Sequence, residues 1–318
     1  MAVLFTSPSF LDHETGRHPE SPERLKSIAK HLAATDLLQR FSPGTVRDAT
    51  RAELLRVHGA GHIDRIQQFA AGGGGRIEAD TVVSPRSFQV ALKAAGTACE
   101  AVDLIVKGKH RTACALIRPP GHHALPSDPM GFCLFNNVAI AARHAIAAHG
   151  LSQILIVDWD VHHGNGTQDI FYEDGQVWFF SAHRFPFYPG TGAESETGKG
   201  RGLGKILNLP VAFGTSRRDY LAAFEQRLAL AAERCRPELI LISAGFDAHR
   251  LDPIGSLGLE TEDFAELTRM VMQVAQTHCD GRCISLLEGG YNVTALAECV
   301  AIHLRGLLSE SADPPKDH

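Results

Sequence analysis

"ILIVDWDVHHGNGTQ" occupies residues 154–168. An apolar run over 153–157 ends, and two aspartates and two histidines follow: Asp158, Asp160, His162 and His163. Such a short, unbroken apolar run reads as a parallel strand buried on both faces. Open parallel sheets bind their ligands at the carboxyl ends of the strands. In extended backbone alternate side chains share a face, so Asp158, Asp160 and His162 point one way and His163 the other. Carboxylate oxygen and neutral imidazole suit a zinc ion that keeps an open position. A further ligand must come from elsewhere, and Asp247, at another strand exit, is the best candidate. Helix capping explains one aspartate at such a place, not two followed by paired histidines.

Outward from this stretch, further strand-like runs occur at 2–6, 112–117, 177–180, 206–209, 239–242 and 283–287. Helical patterns fill most of the gaps, at 84–107, 137–149, 216–235, 262–278 and 294–308, with an earlier one opening at Ser21 as N-cap and Pro22 as first helical residue. Strands alternating with helices predict βαβ units: an α/β fold, one parallel sheet covered on both faces. No linker divides the chain, so residues 1–308 read as one domain and 309–318 as a flexible tail. "GGGG" at 72–75 reads as a flexible connector. The Gly-rich segment 190–205 fails as a phosphate loop. Ala193 stands where the first glycine is needed and Gly200 where Ser or Thr should hold magnesium.

At 318 residues the chain is long enough to bury a dry site. A formal charge of −5 gives no electrostatic case for nucleic acid or an anionic membrane as partner. The seven cysteines are odd in number and scattered without a CxxC pair, which predicts free thiols in a reducing compartment. The start lacks a signal-peptide pattern, and no apolar run is long enough to span a bilayer, so the expected location is cytoplasmic. A homo-oligomer is compatible with the sequence.

Other strand exits are equally polar. "RPPGHHA" (118–124) places His122 and His123 after a rigid turn, as metal ligands or a proton-transfer pair. Asp158 and Asn165 are available to support them. "EGGYN" (288–292) places Tyr291 after two glycines, where a phenol can donate to a developing oxyanion or simply pack in the core.

Taken in order, "RPPGHHA", "GFCLFNN", "VDWDVHHGNGTQ", "FYPGTG", "SAGFDAHRLDPIG" and "LEGGYN" resemble the zinc-dependent histone deacetylase and acetylpolyamine amidohydrolase superfamily, most closely its class II-like members. "HPESPERL" (18–25) extends the likeness toward the N-terminus. The resemblance implies a single-domain arginase-like fold with a central eight-stranded parallel sheet. It implies hydrolysis of an acetylated amine, foremost acetyl-lysine of a protein, to acetate and free amine. One Zn²⁺ per chain would be held by Asp160, His162 and Asp247. His122 and His123 would be the proton-transfer pair, supported by Asp158 and Asn165, and Tyr291 the transition-state tyrosine. Gly131, Phe132, Tyr188, Ile254 and Gly289 would line the acyl-lysine tunnel. Structural K⁺ is implied at Asp158, Asp160, His162, Ser181 and Ala182, and at a second site formed by Phe171, Asp174, Val177 and Phe213. Three rivals stand beside this reading. One is an acetylpolyamine amidohydrolase, though apolar Ile254 sits where an acidic gate is expected. Another is a binuclear manganese ureohydrolase, hinted at by "DAHRLD" (247–252). The third is a non-catalytic acyl-lysine binding module.

Overall fold

The computed structural model describes residues 2–309. In chain order the strands are β1 (Ala2–Phe5), β2 (Ser42–Pro43), β3 (Gly75–Arg76), β4 (Val82–Val83), β5 (Thr112–Ala115), β6 (Ile154–Asp158), β7 (Val177–Arg184), β8 (Ile206–Val211), β9 (Leu239–Ala244) and β10 (Cys283–Leu287). The helices are α1 (Glu23–Ala33), α2 (Arg51–Leu54), α3 (Ala60–Ala71), α4 (Ser87–Val106), α5 (Asn137–His149), α6 (Asn165–Phe171), α7 (Arg217–Cys235), α8 (Thr261–Cys279) and α9 (Val293–Ser309).

Eight strands form one all-parallel sheet in the order β2-β1-β5-β10-β9-β6-β7-β8. Every residue of β5, β6, β9 and β10 is buried, as apolar runs between two helical layers must be. Helices α1, α9, α8 and α7 contact one another in a row, and α4 packs on α5 and α3 in a second row. Both α9 and α4 touch β5, and both α8 and α5 touch β9, so the rows cover opposite faces. This is the expected α/β architecture.

Several local expectations change. The seventh strand does not stop at residue 180 but runs to Arg184, because Ser181 and His183 are fully buried and extend the ladder with β8. The first helix begins at Glu23, with Pro22 rather than Ser21 at its N-cap position and no side-chain cap. Strand β2, Ser42–Pro43, which the apolar runs did not announce, pairs with β1 at the sheet edge and carries too few residues to show a period. "GGGG" is part of an ordered turn, not a loose connector. Gly75 pairs with Val83 in a two-stranded hairpin, and a Cβ on Gly74 would lie 2.2 Å from the Val83 carbonyl oxygen. Ser309 closes α9 instead of opening the tail, and residues 310–318 lie outside the described residues. All seven cysteines are buried and free.

Candidate active site

The strands that carry the polar exits, β5, β10, β9 and β6, are neighbours at the centre of the sheet. Their carboxyl ends therefore meet on one rim. Asp160 and His162 follow β6, and Asp247 follows β9. One ligand atom from each falls within 4.8 Å of the others. His162 Nδ1 lies 3.0 Å from Asp160 Oδ1 and 3.2 Å from Asp247 Oδ2. Asp158 does not join them, contrary to the alternation argument. The chain leaves β6 at Asp158, and turns hold the next residues: Asp160 N donates to Asp158 Oδ1 and His162 N to Asp160 Oδ1. Asp158 Oδ2 instead faces His122 Nδ1 at 3.0 Å. His163 points elsewhere, to Thr191 and Gln168.

The donor set fits a zinc ion. Two carboxylates and one imidazole nitrogen match a catalytic site with an open position. Asp247 Oδ2 is fully buried and lacks a well-formed hydrogen bond, which is the mark of an atom awaiting a cation. Burial and the Asp160 charge push the Asp247 carboxyl up to about 7. Burial opposes ionisation of Asp160 too, but His122 and His162 hold it well below the usual carboxylate range. Two such carboxylates side by side are satisfied by a divalent cation. Gly289 sits beneath this cluster and not along the tunnel, a correction to its expected place. Its N–H donates to Asp160 Oδ2, and a Cβ would come within 2.1 Å of Asp247 Oδ2.

His122 and His123 lie with ring centroids 4.0 Å apart and have opposite tendencies. Burial disfavours charge on His122, but Asp158 and Asp160 outweigh it and raise its pKa to about 10. Burial and the neighbouring imidazoles push His123 well below its ordinary value. His123 Nδ1 lies 2.7 Å from Asn165 Oδ1, while Asn165 Nδ2 donates to Met130 Sδ. Asn165 thus presents an acceptor, the proton of neutral His123 sits on Nδ1, and Nε2 keeps its lone pair.

A cavity of about 210 Å³ opens above this floor, lined by Asp80, His123, Gly131, Phe132, His162, Phe187, Tyr188, Ile254 and Tyr291. Phe132, Tyr188, Gly131 and Ile254, expected along an acyl-lysine tunnel, are among these lining residues. Phe132 adopts φ +70°, an uncommon conformation for a bulky residue. Thr81 Oγ1 accepts its N–H, and Asp80 Oδ1 accepts that of Gly131. The Tyr188 ring stands edge-on to His123 at 5.3 Å, and Tyr291 edge-on to Phe132 at 5.7 Å. Phe187, not foreseen, stacks on the His162 ring at 5.3 Å. Burial raises the Tyr291 phenol well above its usual value, so it stays a hydrogen-bond donor.

Two supports behind the site were also missed. Glu288 Oε2 accepts from the N–H of Gly121 and of His122, tying the histidine loop to the tyrosine loop. Arg24 donates to the carbonyls of Gly290 and Glu288 and lies 5.1 Å from the Tyr291 ring centroid. Glu20 then joins Arg24 to Arg118 in a fully buried ion-pair network. Asp252, the hint of a second catalytic metal, is otherwise engaged. Its oxygens accept from the N–H groups of Ile254, Gly255, Tyr291 and Asn292.

Of the residues proposed for potassium, Ser181 is the ladder partner of Asp158 and its hydroxyl meets His183 Nδ1 at 2.9 Å, beside Ala182. Asp174 already pairs with Arg143 and accepts from Val177 N, while its own N–H donates to Phe171 O. Phe213 is 66% exposed, with its ring under Arg184.

The histone deacetylase domain family matches residues 18–307. The chain belongs to that family. It is 38% identical to "Histone deacetylase 14, chloroplastic" of Arabidopsis thaliana over 98% of its own length and 77% of the relative's. It is 40% identical to "Polyamine deacetylase HDAC10" of Homo sapiens over 93% of its length and 45% of that protein's. The crystal structure of the HDA15 HD domain superposes with a TM-score of 0.91 at 36% identity, covering 98% of this chain and 90% of that one. The eight-stranded sheet and its helical layers are thus the family fold.

Proposed function

We propose that this member of the family hydrolyses the amide of an acetylated amine, with acetyl-lysine in a protein or peptide as preferred substrate. The observation that carries the reading is the buried Asp160–His162–Asp247 triad at the foot of an aromatic cavity, beside a histidine whose Nε2 is free to accept a proton. The cavity walls Phe132 and Tyr188 suit the aliphatic stem of an acyl-lysine. Zn²⁺ held by the triad would polarise the amide carbonyl and lower the pKa of a water molecule.

The chain's own residues do the rest. Tyr291 donates its hydroxyl hydrogen to the carbonyl oxygen as negative charge develops there. His123 Nε2 accepts a proton from the attacking water, with Asn165 holding the ring in the required tautomer. The same nitrogen returns the proton to the leaving nitrogen, since an amine does not leave as an anion near neutral pH. His122, kept cationic by Asp158, contributes positive charge beside the developing oxyanion. Structural K⁺ beside Asp158 and Ser181, and at the Phe171–Val177 turn with Phe213, belongs to the same proposal. It predicts a higher Tm in potassium than in sodium chloride.

One observation favours acetylpolyamines: the Asp80 carboxylate lines the cavity and could meet a second, cationic amine. One oxygen of that carboxylate, Oδ1, is already engaged by Gly131 N and Thr81, and Ile254, which also lines the cavity, is apolar. Turnover of acetyl-lysine peptides and acetylpolyamines, before and after chelation, decides between them. We expect peptide deacetylation that chelation abolishes and zinc restores. Undiminished hydrolysis by the stripped protein would remove the metal from the account, and a preference for acetylpolyamines would change the substrate.

A further inference from the structure

A second convergence of metal-competent side chains lies outside the cavity, where α4 packs on α5. Asp103 on α4 receives two imidazoles from α5 on a single oxygen. His144 Nε2 stands 3.0 Å and His149 Nε2 2.6 Å from Asp103 Oδ1. One ligand atom from each lies within 4.8 Å of the others. The side chains are 21%, 8% and 12% exposed for Asp103, His144 and His149, so solvent reaches the group without separating it. The spacing is right for the class. Ligand atoms around tetrahedral zinc stand about 3.3 Å apart, so Asp103 Oδ1 must part from His144 Nε2 by about 0.3 Å and from His149 Nε2 by about 0.7 Å.

On the other side of His144, Nδ1 accepts from Arg56 Nη1 at 3.1 Å, and the Glu53 carboxylate stands close behind. Glu53 Oε1 lies 3.3 Å from His144 Nδ1 and accepts from Arg47 Nη2, while Oε2 accepts from Arg47 Nη1 and from Thr50 N in the capping box of α2. A carboxylate on the far nitrogen is what orients and strengthens a metal-binding imidazole. The geometry also decides which face of His144 would bind. Glu53, Cys99 and His144 form a cluster as well, but Glu53 is committed to Arg47, and burial pushes the Cys99 thiol far up, away from thiolate. The Asp103 face carries neither obstacle. Two cations stand nearby. Arg56 Nη1 lies 3.1 Å from His144 Nδ1, and Lys107 Nζ lies 4.0 Å from Asp103 Oδ2. With Arg56 donating to Nδ1, the His144 proton sits on Nε2; ligation through Nε2 moves it to Nδ1, toward Glu53, and Arg56 must turn aside. Lys107 is 57% exposed and free to swing into solvent.

We propose that Asp103, His144 and His149 form a second site for a divalent transition metal of the zinc and nickel class, with water completing its shell. It ties the last turn of α4 to the end of α5 and takes no part in the amide chemistry. The test uses enzyme carrying one zinc per chain, equilibrated with micromolar free Zn²⁺ and analysed for bound metal. We expect a second equivalent in the wild type. In His149→Ala and in Asp103→Asn the second equivalent should be lost, with the first equivalent and deacetylation unchanged. Added Zn²⁺ should also raise the Tm of the wild type but of neither variant. Two results would overturn the proposal. A single equivalent in the wild type would leave the cluster as a hydrogen-bonded helix clamp. Two equivalents retained in both variants would place the second zinc elsewhere.

Discussion

Tyr291 shows how much a single atom is asked to do. Its ring is held between Phe132 and Arg24, so removing the hydroxyl should leave the ring in place. Tyr291→Phe should then lower kcat by roughly 10²–10³-fold, the usual effect of removing one oxyanion donor, with little change in KM. Steady-state kinetics on an acetyl-lysine peptide check this, and a wild-type kcat would remove Tyr291 from the chemistry. Asp160 belongs to a different class of residue. Asp160→Ala removes a proposed ligand atom and the acceptor for Gly289 N–H, so bound zinc should fall below stoichiometry in metal analysis. A variant that keeps one zinc per chain would refute the ligand set. These residues were legible because their types are rare together and sit at strand exits. Glu20, Arg24 and Arg118 were not, because charged residues read as surface unless their partners are known, and the partners lie 98 residues apart for Glu20 and Arg118.

At the scale of elements, the site is a set of loops fastened to one another. Asp252, after β9, takes the N–H groups of Tyr291 and Asn292, after β10, while Glu288 fastens that same loop to the histidines after β5. Asp252→Ala should therefore lower kcat while one zinc per chain is retained, and Asp252→Asn should recover part of the loss. Equal losses in both variants would point to charge and not to the fastening. The sequence showed the elements far better than these fastenings. Apolar runs located the strands of the sheet except the two-residue β2, which has no period to read. β7 was cut short because Ser181 and His183 look like loop residues, although both are buried. Phe187 escaped notice because an aromatic in a Pro-rich loop has no periodic signal. Alternation alone groups Asp158 with Asp160 and His162, and it fails because it ends where the strand ends; support of His122 is the reading that agrees with the structure.

Across the whole molecule, histidines buried in their neutral form shape the response to acid. His58 is fixed as a neutral tautomer, with Nδ1 donating to Leu125 O and Nε2 accepting from Asn136 N. Burial lowers its pKa from 6.5 to about 3, and His303, enclosed by Thr268 and Ser285, falls as far. A depressed folded pKa means that the unfolded chain binds more protons between these values. The contribution of these two histidines is complete above about pH 6.5 and is lost as pH falls toward 3. Burial raises Glu20, but Arg118 outweighs it and holds the group near 2, which adds a further loss between pH 4.5 and 2. The urea midpoint of zinc-stripped protein should drop steadily from neutral pH to about pH 5, and a flat profile would contradict the neutral burial of these histidines. A separate consequence follows from the strand order. The four strands whose ends bear the reactive groups each have a strand on both sides, whereas β2 and β8 have one. In deuterium labelling, amides of β5, β10, β9 and β6 should be the last to exchange. The chemistry is thereby mounted on the part of the molecule that opens least often, and substrate admission is left to the surrounding loops.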